Sequence, residues 1–436
     1  MSKSSRWPAG LLACWPAGLL ACWPDYRTPP GRSWFVSRYN REHMPLDIGA
    51  VQKALGAEGL DAWLLYDFHG SNPVSYRLAG MGGAGHLATR RWFYLIPAIG
   101  EPMALVHAIE RHNLDHLPGS KVVYAGREQL VAGLGKLVAG RKRIAMEYSP
   151  DCGIPYVSRV DAGTIELVRG HGVEVASSGD LIQQFEARWS GTAIAAHRAA
   201  SEKLYRIKDQ AFEEVARRLR DGVPTTEYDI QQQMAGWFRD EGLVAESAPC
   251  VSAQENAGNP HYLATAADHR IIHTDELVLL DLWGKLNAPG SVYADITWMG
   301  FTGPQVPERM SRAFAAICAA RDAAASAVAD AAAAGRDVRG FEADRAARKV
   351  LIDAGYQDAI LHRTGHSLGE NVHGNGAHLD DYETHDERRL IPGSGFTIEP
   401  GLYFKEFGVR TEINMVWTDH GPEVTGPRQK AILSLL

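Results

Sequence analysis

The chain has 436 residues, of which 45% are hydrophobic, so it is long enough for two domains and can bury a sizeable core. Its net charge is -7 and its basic residues are scattered, which disfavours a nucleic-acid-binding protein. The five cysteines form no CxxC pair, which excludes zinc-finger and dithiol redox motifs and suits a reducing compartment. We therefore expect a cytoplasmic protein.

The N-terminal segment contains the octapeptide WPAGLLAC at 7–14 and again at 15–22. Pro8, Pro16 and Pro24 interrupt every apolar stretch, so the segment fits neither a signal peptide nor a membrane span. The two LLAC tetrapeptides resemble a lipoprotein cleavage box, but no long apolar segment precedes them. We expect residues 1–43 to be a disordered extension, or the result of a start site chosen too far upstream.

Short strands and helices alternate in residues 44–186. The spacing of Ile48, Val51 and Leu55 predicts a helix over 47–58. Short apolar runs predict strands at 62–67, 90–97, 101–108, 121–125 and 143–148. This alternation is typical of an α/β domain.

A change in composition near residue 190 predicts a second domain, residues 187–436. Apolar residues at helical spacing predict helices over 191–221, from Thr226 to about Glu241, from Pro307 to Gly335 and over 341–354. Strands are predicted at 276–284, 291–301, 395–404 and 408–418. The fold class is therefore α/β or α+β, with two domains.

Four acids interrupt the apolar strand patterns of the second domain: Asp281, Asp295, Glu399 and Glu412. A single acid could lie on a solvated strand face, but Asp281 stands in a continuous apolar run, LVLLDLW, typical of a strand covered on both faces. Burying an unpaired carboxylate is costly, so a buried cluster needs compensating charge. Apart from Arg410, these runs contain few basic residues that could compensate the acids. Divalent cations are therefore the better candidates for the compensating charge.

Histidines and glycines are interspersed in the segment HRTGHSLGENVHGNGAH. Imidazole often joins carboxylates at a metal, and the glycines predict turns that leave room for a substrate. The alternative is a histidine-containing surface loop, and a lone histidine such as His261 is more often a structural residue. The histidines of the segment are His362, His366, His373 and His378.

Together these residues resemble the pita-bread metallopeptidases, the family of methionine aminopeptidase, aminopeptidase P and prolidase. The resemblance covers about residues 190–436. In the family's order, Asp281 is followed by Asp295 in ADIT, His366 in GHSLG, Glu399 in TIEPG and Glu412 in GVRTE. Residues 44–186 resemble more loosely, through YDFHGSNPVSYRLAGM, the N-terminal domain of prolidase, aminopeptidase P and creatinase. Methionine aminopeptidases lack such a domain.

The resemblance implies a creatinase-like α/β domain at 44–186, a pita-bread catalytic domain at 187–436 and two divalent metal ions. Manganese is expected first, with cobalt, zinc and iron as alternatives. Asp295 and Glu412 would bridge the metals. The implied ligands are Asp281, Asp295, His366, Glu399 and Glu412.

The resemblance also implies roles in catalysis. His261 and His373 would donate hydrogen bonds to the tetrahedral intermediate, and Glu399 would carry a proton to the leaving amine. Arg410 and His362 would hold the substrate or tune Glu412.

The implied reaction is hydrolysis of an amide bond in a short peptide, by a hydroxide that bridges the metals. The expected substrate is an Xaa-Pro dipeptide or a longer Xaa-Pro peptide, and we expect a homodimer with neither nucleic acid nor a membrane as partner. The rivals are a creatinase-like amidinohydrolase or lyase and a non-catalytic binding module, and the complete ligand set counts against both. Gly374 and Ile413, where relatives commonly have acids, leave the substrate open.

Overall fold

The computed structural model describes residues 46–81 and 88–436 of the chain. The predicted extension over 1–43, with its duplicated octapeptide, lies outside the described residues. Over the described ranges, no helix combines the length and the apolar character needed to cross a membrane.

Nine helices occur in the described part of the chain. Asp47, Ser190 and Thr226 each accept a main-chain hydrogen bond at a helix N-terminus, and Thr226 with Asp229 forms a capping box. The helices are α1 (Ile48–Ala57), α2 (Pro73–Leu78), α3 (Arg127–Val138), α4 (Ala162–Arg169), α5 (Gly179–Glu186), α6 (Gly191–Arg220), α7 (Glu227–Asp240), α8 (Glu308–Ala333) and α9 (Gly340–Asp353).

The first six strands form one sheet. They are β1 (Ala62–Asp67), β2 (Trp92–Pro97), β3 (Met103–His107), β4 (Ser120–Tyr124), β5 (Arg143–Met146) and β6 (Glu174–Ser177). Their order in the sheet is β4-β3-β2-β1-β5-β6, and β2 runs antiparallel to both of its neighbours. Helices α1, α2 and α5 pack on one face and α3 and α4 on the other, as the alternating sequence pattern predicts.

The later strands form three smaller sheets. They are β7 (Leu243–Val244), β8 (Cys250–Ala253), β9 (Leu277–Leu286), β10 (Ala294–Phe301), β11 (Ser367–Leu368), β12 (Gly395–Ile398), β13 (Gly401–Tyr403), β14 (Gly408–Arg410), β15 (Ile413–Thr418), β16 (Gly421–Thr425) and β17 (Leu433–Ser434). One sheet has the order β17-β10-β9-β7, with β8 also paired to β9; the others are β11-β12-β15-β16 and β13-β14.

The hairpin of β9 and β10 is covered on both faces. Even-numbered residues of β9, such as Leu280, pack against α6 and α7, whereas Leu277 and Leu279 pack against α8 and α9. The second of these cores also contains Phe396 of β12 and Met415 of β15. Because side chains alternate along a strand, the odd-numbered Asp281 belongs to this second face.

Two predicted strands are each split in two. The prediction of single strands over 395–404 and 408–418 was wrong, because the chain changes sheets at Glu399–Pro400 and again at Thr411–Glu412. Pro400 has no main-chain N–H and so cannot continue a ladder as a donor. Glu399 and Glu412 therefore lie in breaks between strands, outside any strand ladder. The two breaks face each other, because Ile398, just before Glu399, pairs with Ile413, just after Glu412.

The part of the chain that carries the six-stranded sheet, residues 46–81 and 88–186, is called the first sheet region. Its residues contact the loop after β11 directly. The Gln183 side chain accepts the main-chain N–H of Ala377 at 2.9 Å, and Glu186 accepts a hydrogen bond from the Asn375 amide at 2.9 Å. Gly153 accepts the main-chain N–H of His385 at 3.1 Å. These bonds fix the loop that carries the histidine-rich segment.

Candidate metal centre and its cavity

One cavity of about 530 Å³ brings together all nine residues that the sequence singled out as site candidates. Its walls come mainly from the second half of the chain, but Tyr156, from the first sheet region, also lines it. The nine candidates are His261, Asp281, Asp295, His362, His366, His373, Glu399, Arg410 and Glu412.

The register of β9 and β10 explains why two of the acids meet. Asp281 pairs with Thr297, so Asp295, two residues before Thr297, points to the same face of the sheet. The connection between the two strands, residues 287–293, leaves this register intact. Asn414 holds the next sheet in place, because its side chain bonds both the main-chain N–H and the carbonyl of Asp295.

Glu412 is bound to the same hairpin. Its main-chain N–H donates to the Thr297 carbonyl at 3.3 Å, and its Oε2 accepts the Thr297 hydroxyl proton at 2.8 Å. Glu412 is 2% exposed and Asp295 is 5% exposed. Thr297 therefore connects strands β9 and β10, which carry Asp281 and Asp295, to the break that carries Glu412.

His366 presents a lone pair to these acids. Its Nδ1 lies 3.1 Å from the Ser367 carbonyl, which only accepts, so Nδ1 carries the proton and Nε2 is free. Nε2 lies 3.7 Å from Asp295 and 3.3 Å from Glu399. Burial lowers the pKa of His366 to about 3, so the ring is neutral near pH 7.

Glu399 is held by the break in its strand. Its main-chain N–H donates to the Thr364 carbonyl at 2.7 Å, and its Oε1 accepts the Thr397 hydroxyl proton at 3.1 Å. Burial raises the pKa of Glu399, but electrostatic interactions with His366 and His362 and the positive charges of Arg410 and Arg363 more than offset this and hold it below the ordinary value.

The buried acids repel one another. Burial raises the pKa of Asp295 well above its ordinary value, and the charges of Glu412 and Asp281 raise it further. Burial likewise raises the pKa of Glu412, with Glu399 and Asp281 adding to it. Such a set of carboxylates needs protons or cations to be stable.

Donor atoms of Asp295, His366 and Glu412 all lie within 4.8 Å of one another. Asp295 Oδ1 and Glu412 Oε1 are buried and have no hydrogen-bond partner among the described residues. Unpaired carboxylate oxygens beside an imidazole lone pair form a donor set suited to divalent transition metals. The residues present therefore fit a metal site.

Arg410 and His362 meet at a residue that the sequence reading missed, Tyr403. Arg410 donates to Asp281 through Nη2, to Thr297 through Nε at 3.1 Å and to the Tyr403 hydroxyl through Nη1 at 3.2 Å. The Tyr403 hydroxyl lies 2.6 Å from His362 Nε2, and His362 Nδ1 bonds the Arg363 carbonyl. The network holds Asp281 in place, and both ring nitrogens of His362 have hydrogen-bond partners within the protein.

His373 and His261 stand at the open side of the cavity. The His373 ring packs edge-on against the His366 ring, with 4.4 Å between centroids, and both His373 and His261 are exposed. Their rings can reach a bound molecule. His378, the fourth histidine of the segment, is instead fully buried beneath Tyr156 and outside the cavity wall.

Comparison with known proteins agrees with this geometry. The profile of metallopeptidase family M24 matches residues 199–419. An Xaa-Pro dipeptidase of Lactobacillus delbrueckii subsp. lactis is 31% identical over 216 residues, which are 49% of this chain and 54% of the relative. The chain spans about half the length of the curated relatives it matches.

Two solved structures are similar over most of the chain. Dipeptidase PepE from Mycobacterium ulcerans has a TM-score of 0.62 at 22% identity, covering 89% of this chain and 96% of its own. The prolidase from Pyrococcus horikoshii has a TM-score of 0.55 at 19% identity, covering 88% and 99%. At these identities the likeness shows the fold, which is the α/β pita-bread arrangement expected from the sequence. Since the family profile covers half of its residues, the chain belongs to metallopeptidase family M24.

Proposed function

We propose that this protein hydrolyses an amide bond of a short peptide with the help of two divalent cations. The observation that carries the proposal is the pair of unpaired oxygens, Asp295 Oδ1 and Glu412 Oε1, beside the free Nε2 face of His366. Buried polar atoms are seldom left without partners, so these atoms indicate a ligand that the protein chain itself does not supply.

The ligand set follows from the arrangement of the acids. Asp295 and Glu412 lie at the centre and would be shared by both cations, with Asp281 completing one site. His366 and Glu399, 3.3 Å apart, would complete the other. Manganese is the first candidate, because oxygen ligands predominate in this set.

Bound divalent cations lower the pKa of water and polarise a carbonyl oxygen, which is the chemistry that amide hydrolysis needs. The remaining roles belong to the chain. Glu399, at the cavity wall, can accept a proton and pass it to the leaving amine. His373 and His261 can donate hydrogen bonds to an oxyanion, and Arg410 holds Asp281 in position.

The proposed substrate is an Xaa-Pro dipeptide. The cavity volume of about 530 Å³ lies within the range of small-molecule sites. A relative at 31% identity is named an Xaa-Pro dipeptidase, which supports the same substrate class here. We also propose that the protein works in the cytoplasm as a homodimer.

The test combines metal analysis with turnover. Protein purified without chelator is expected to contain close to two divalent ions per chain and to hydrolyse Ala-Pro, and a chelator is expected to abolish the activity until Mn²⁺ is restored. Asp295→Ala and His366→Ala variants that kept full metal content and full activity would contradict the proposal. Creatine serves as the rival substrate, and turnover of creatine alone would replace the peptidase proposal with an amidinohydrolase.

A further inference from the structure

Another cavity, of about 550 Å³, opens at one edge of the six-stranded sheet. Strands β1, β3 and β4 end at this edge and β2 begins there, because β2 runs antiparallel to β1 and β3. In open α/β sheets, ligands commonly bind outside the carboxyl ends of the strands. The cavity has the size of a small-molecule site and shares no lining residue with the cavity of the proposed metal centre.

Three guanidinium groups line this cavity. They belong to Arg90 and Arg91, just before β2, and to Arg127, the first residue of α3. Within residues 46–81 and 88–436, the side chains of Arg91 and Arg127 donate no hydrogen bond and form no ion pair. Arg90 bonds only its neighbour there, through Nη1 to the Thr89 carbonyl and hydroxyl. The positive charge of the cavity is therefore not matched by ion pairs.

Arginines that line other cavities bond to groups of the protein. Arg363 in the metal cavity donates to the Tyr156 hydroxyl at 2.6 Å. Arg410 uses all three of its guanidinium nitrogens. Arg388 donates to Asp386 through both Nε and Nη2. Since guanidinium donors in cavities normally have acceptors, the unused donors at the sheet edge indicate an anion from outside the chain.

One carboxylate lines the same cavity, that of Asp161, and its oxygens are already used. Oδ1 accepts the main-chain N–H of Thr164 at 2.9 Å. Oδ2 accepts the hydroxyl protons of Thr164 at 2.8 Å and of Tyr66 at 3.0 Å. With three guanidinium groups and one carboxylate, the lining side chains carry a net charge of +2 when histidine is counted as neutral.

The N-terminus of α3 adds partial positive charge to this wall. Gly126 is the N-cap residue, so no side chain caps the first main-chain N–H groups of this 12-residue helix. Gly126 itself lines the cavity. The neighbouring helix α4 differs, because Asp161 caps it through Thr164. Uncapped N–H groups at a helix N-terminus favour a bound anion, and here they adjoin the unpaired guanidinium of Arg127.

The main chain around the arginines is held without using their charge. Glu110, outside the cavity wall, accepts the main-chain N–H of Arg90 at 3.2 Å. His107, at the end of β3, accepts the main-chain N–H of Ile109 with Nδ1 at 3.2 Å. Its Nε2 therefore carries the proton and donates to the Ala125 carbonyl at 3.1 Å. The arginines are thus carried by a fixed frame.

An aromatic ring forms another part of the cavity. Phe68, just after the buried strand β1, is 43% exposed. Asp67 holds the turn that follows, because it accepts the main-chain N–H groups of Gly70 at 2.9 Å and Asn72 at 2.8 Å. The His69 ring packs edge-on against Phe68, with 4.5 Å between centroids. An exposed ring in a cationic cavity suits a ligand with a flat apolar part.

We propose that this cavity binds an aromatic phosphate monoester, the class that includes nucleoside monophosphates. The phosphate lies between Arg91, Arg127 and the N-terminus of α3, and the aromatic ring of the ligand packs against Phe68. A phosphate monoester carries a charge of about −2 at neutral pH, which matches the cavity, and its oxygens suit guanidinium donors. A carboxylate would leave one positive charge unmatched.

The first experiment titrates the Mn²⁺-loaded protein, freed of excess metal, with AMP, inorganic phosphate and adenosine in a calorimeter. AMP is expected to bind with a Kd below about 1 mM and about 10-fold or more tightly than either fragment, because both parts of the cavity contribute. Phe68→Ser is expected to lower the affinity for AMP to that for phosphate. Absence of AMP binding, or equal affinity for AMP and phosphate in the wild type, overturns the proposal.

The second experiment removes the guanidinium groups. Arg91→Gln and Arg127→Gln are each expected to weaken AMP binding about 10- to 100-fold, the range for hydrogen bonds to a charged group, and Arg91→Lys is expected to retain part of the affinity. Because neither arginine has a partner in the described residues, the urea midpoints of these variants are expected to stay at the wild-type value.

The matched control is Arg169→Gln, which removes an exposed guanidinium at the other end of α4. Arg169 lies over the Tyr148 ring, 4.9 Å from its centroid, and outside the cavity wall. This variant is expected to bind AMP as the wild type does. AMP affinity that survives in both Arg91→Gln and Arg127→Gln, as binding at the metal centre would, overturns the proposal whether or not the protein hydrolyses peptides.

Discussion

Buried acids at two places in this protein, Glu147 on one side and Asp295 with Glu412 on the other, have very different surroundings. Glu147, just after β5, is 0% exposed and accepts four hydrogen bonds from neutral donors. The donors are Trp63 and Ser178 on Oε1, at 2.7 and 3.1 Å, and Asn72 and Ser75 on Oε2, at 2.7 and 2.5 Å. Asp295 and Glu412 are nearly as buried, yet each has one oxygen without a partner in the described residues.

The difference separates an acid that joins parts of the protein from acids that we propose to be metal ligands. Around Glu147, strand β1, helix α2 and the start of α5 all supply donors, so the carboxylate joins elements that are distant in sequence. Around Asp295 the nearest polar groups include other carboxylates and a histidine lone pair. Burial raises the pKa in both places, so burial alone does not distinguish the two environments; the unpaired oxygens do.

The largest effect is expected from Asp295→Asn. Losing a shared ligand is expected to empty the metal site and lower kcat/KM about 1,000-fold or more, because the cations supply the main part of the catalysis. Metal analysis and Ala-Pro hydrolysis measure this. The metal-free variant is expected to unfold at a higher denaturant concentration than metal-free wild type, because the substitution removes one of several repelling charges.

The matched change at the other acid is Glu147→Leu. It leaves four buried donors without an acceptor and is expected to cost about 3–5 kcal/mol in the free energy of unfolding. Urea denaturation measures the loss. The metal content per folded chain is expected to stay at the wild-type value; loss of metal without loss of stability would remove the distinction between the two groups of acids.

A buried base provides the pH test. His197 of α6 is 0% exposed and bonds the Tyr293 carbonyl and the Thr425 hydroxyl, both at 2.8 Å. Burial lowers its pKa to about 4, against 6.5 in the unfolded chain. Between these values the unfolded chain binds the extra proton, so stability falls as pH drops from 6.5 to 4, by up to about 3 kcal/mol.

Urea denaturation at several pH values in that window measures the His197 effect. A His197→Gln variant is expected to be less stable at pH 7.5 and to show a weaker decline at acid pH. An unchanged pH dependence in this variant would assign the decline to other groups.

The smallest expected effect is that of Thr297→Val. The change removes the hydroxyl that donates to Glu412 at 2.8 Å and accepts from Arg410 at 3.1 Å, while the shape of the side chain is kept. Removing a hydrogen bond that orients a metal ligand is expected to weaken metal affinity or kcat/KM about 10- to 100-fold. Metal titration measures the metal affinity. Thr302→Val serves as the control, because the hydroxyl that it removes bonds the His273 carbonyl.

Much of the fold could be predicted, because apolar periodicity is strong in the long elements. The helices near 191–220 and 308–333 and the hairpin of β9 and β10 appear close to where their patterns predict them. Helix α2 was not predicted, since six residues are too few to show a helical period. The breaks at Glu399 and Glu412 were also missed, because the runs that contain them remain apolar on both sides.

The acids of the site could be recognised from the sequence because each stands where an apolar residue is expected. Thr297, Tyr403 and Arg363 gave no such signal: a hydroxyl or a guanidinium fits many positions, and their partners are distant in sequence. For Thr297 a clue existed in the spacing, since it lies two residues after Asp295 and so shares its face. For Arg363 the partner Tyr156 is 207 positions away.

The contact between Tyr156 and Arg363 has a consequence for recombination between relatives. If the first sheet region were exchanged for that of a relative with another residue in place of Tyr156, every proposed metal ligand would be inherited unchanged. The orientation of the guanidinium would not be inherited. Chimeras of this kind would therefore keep the proposed metal ligands while changing one wall of the cavity.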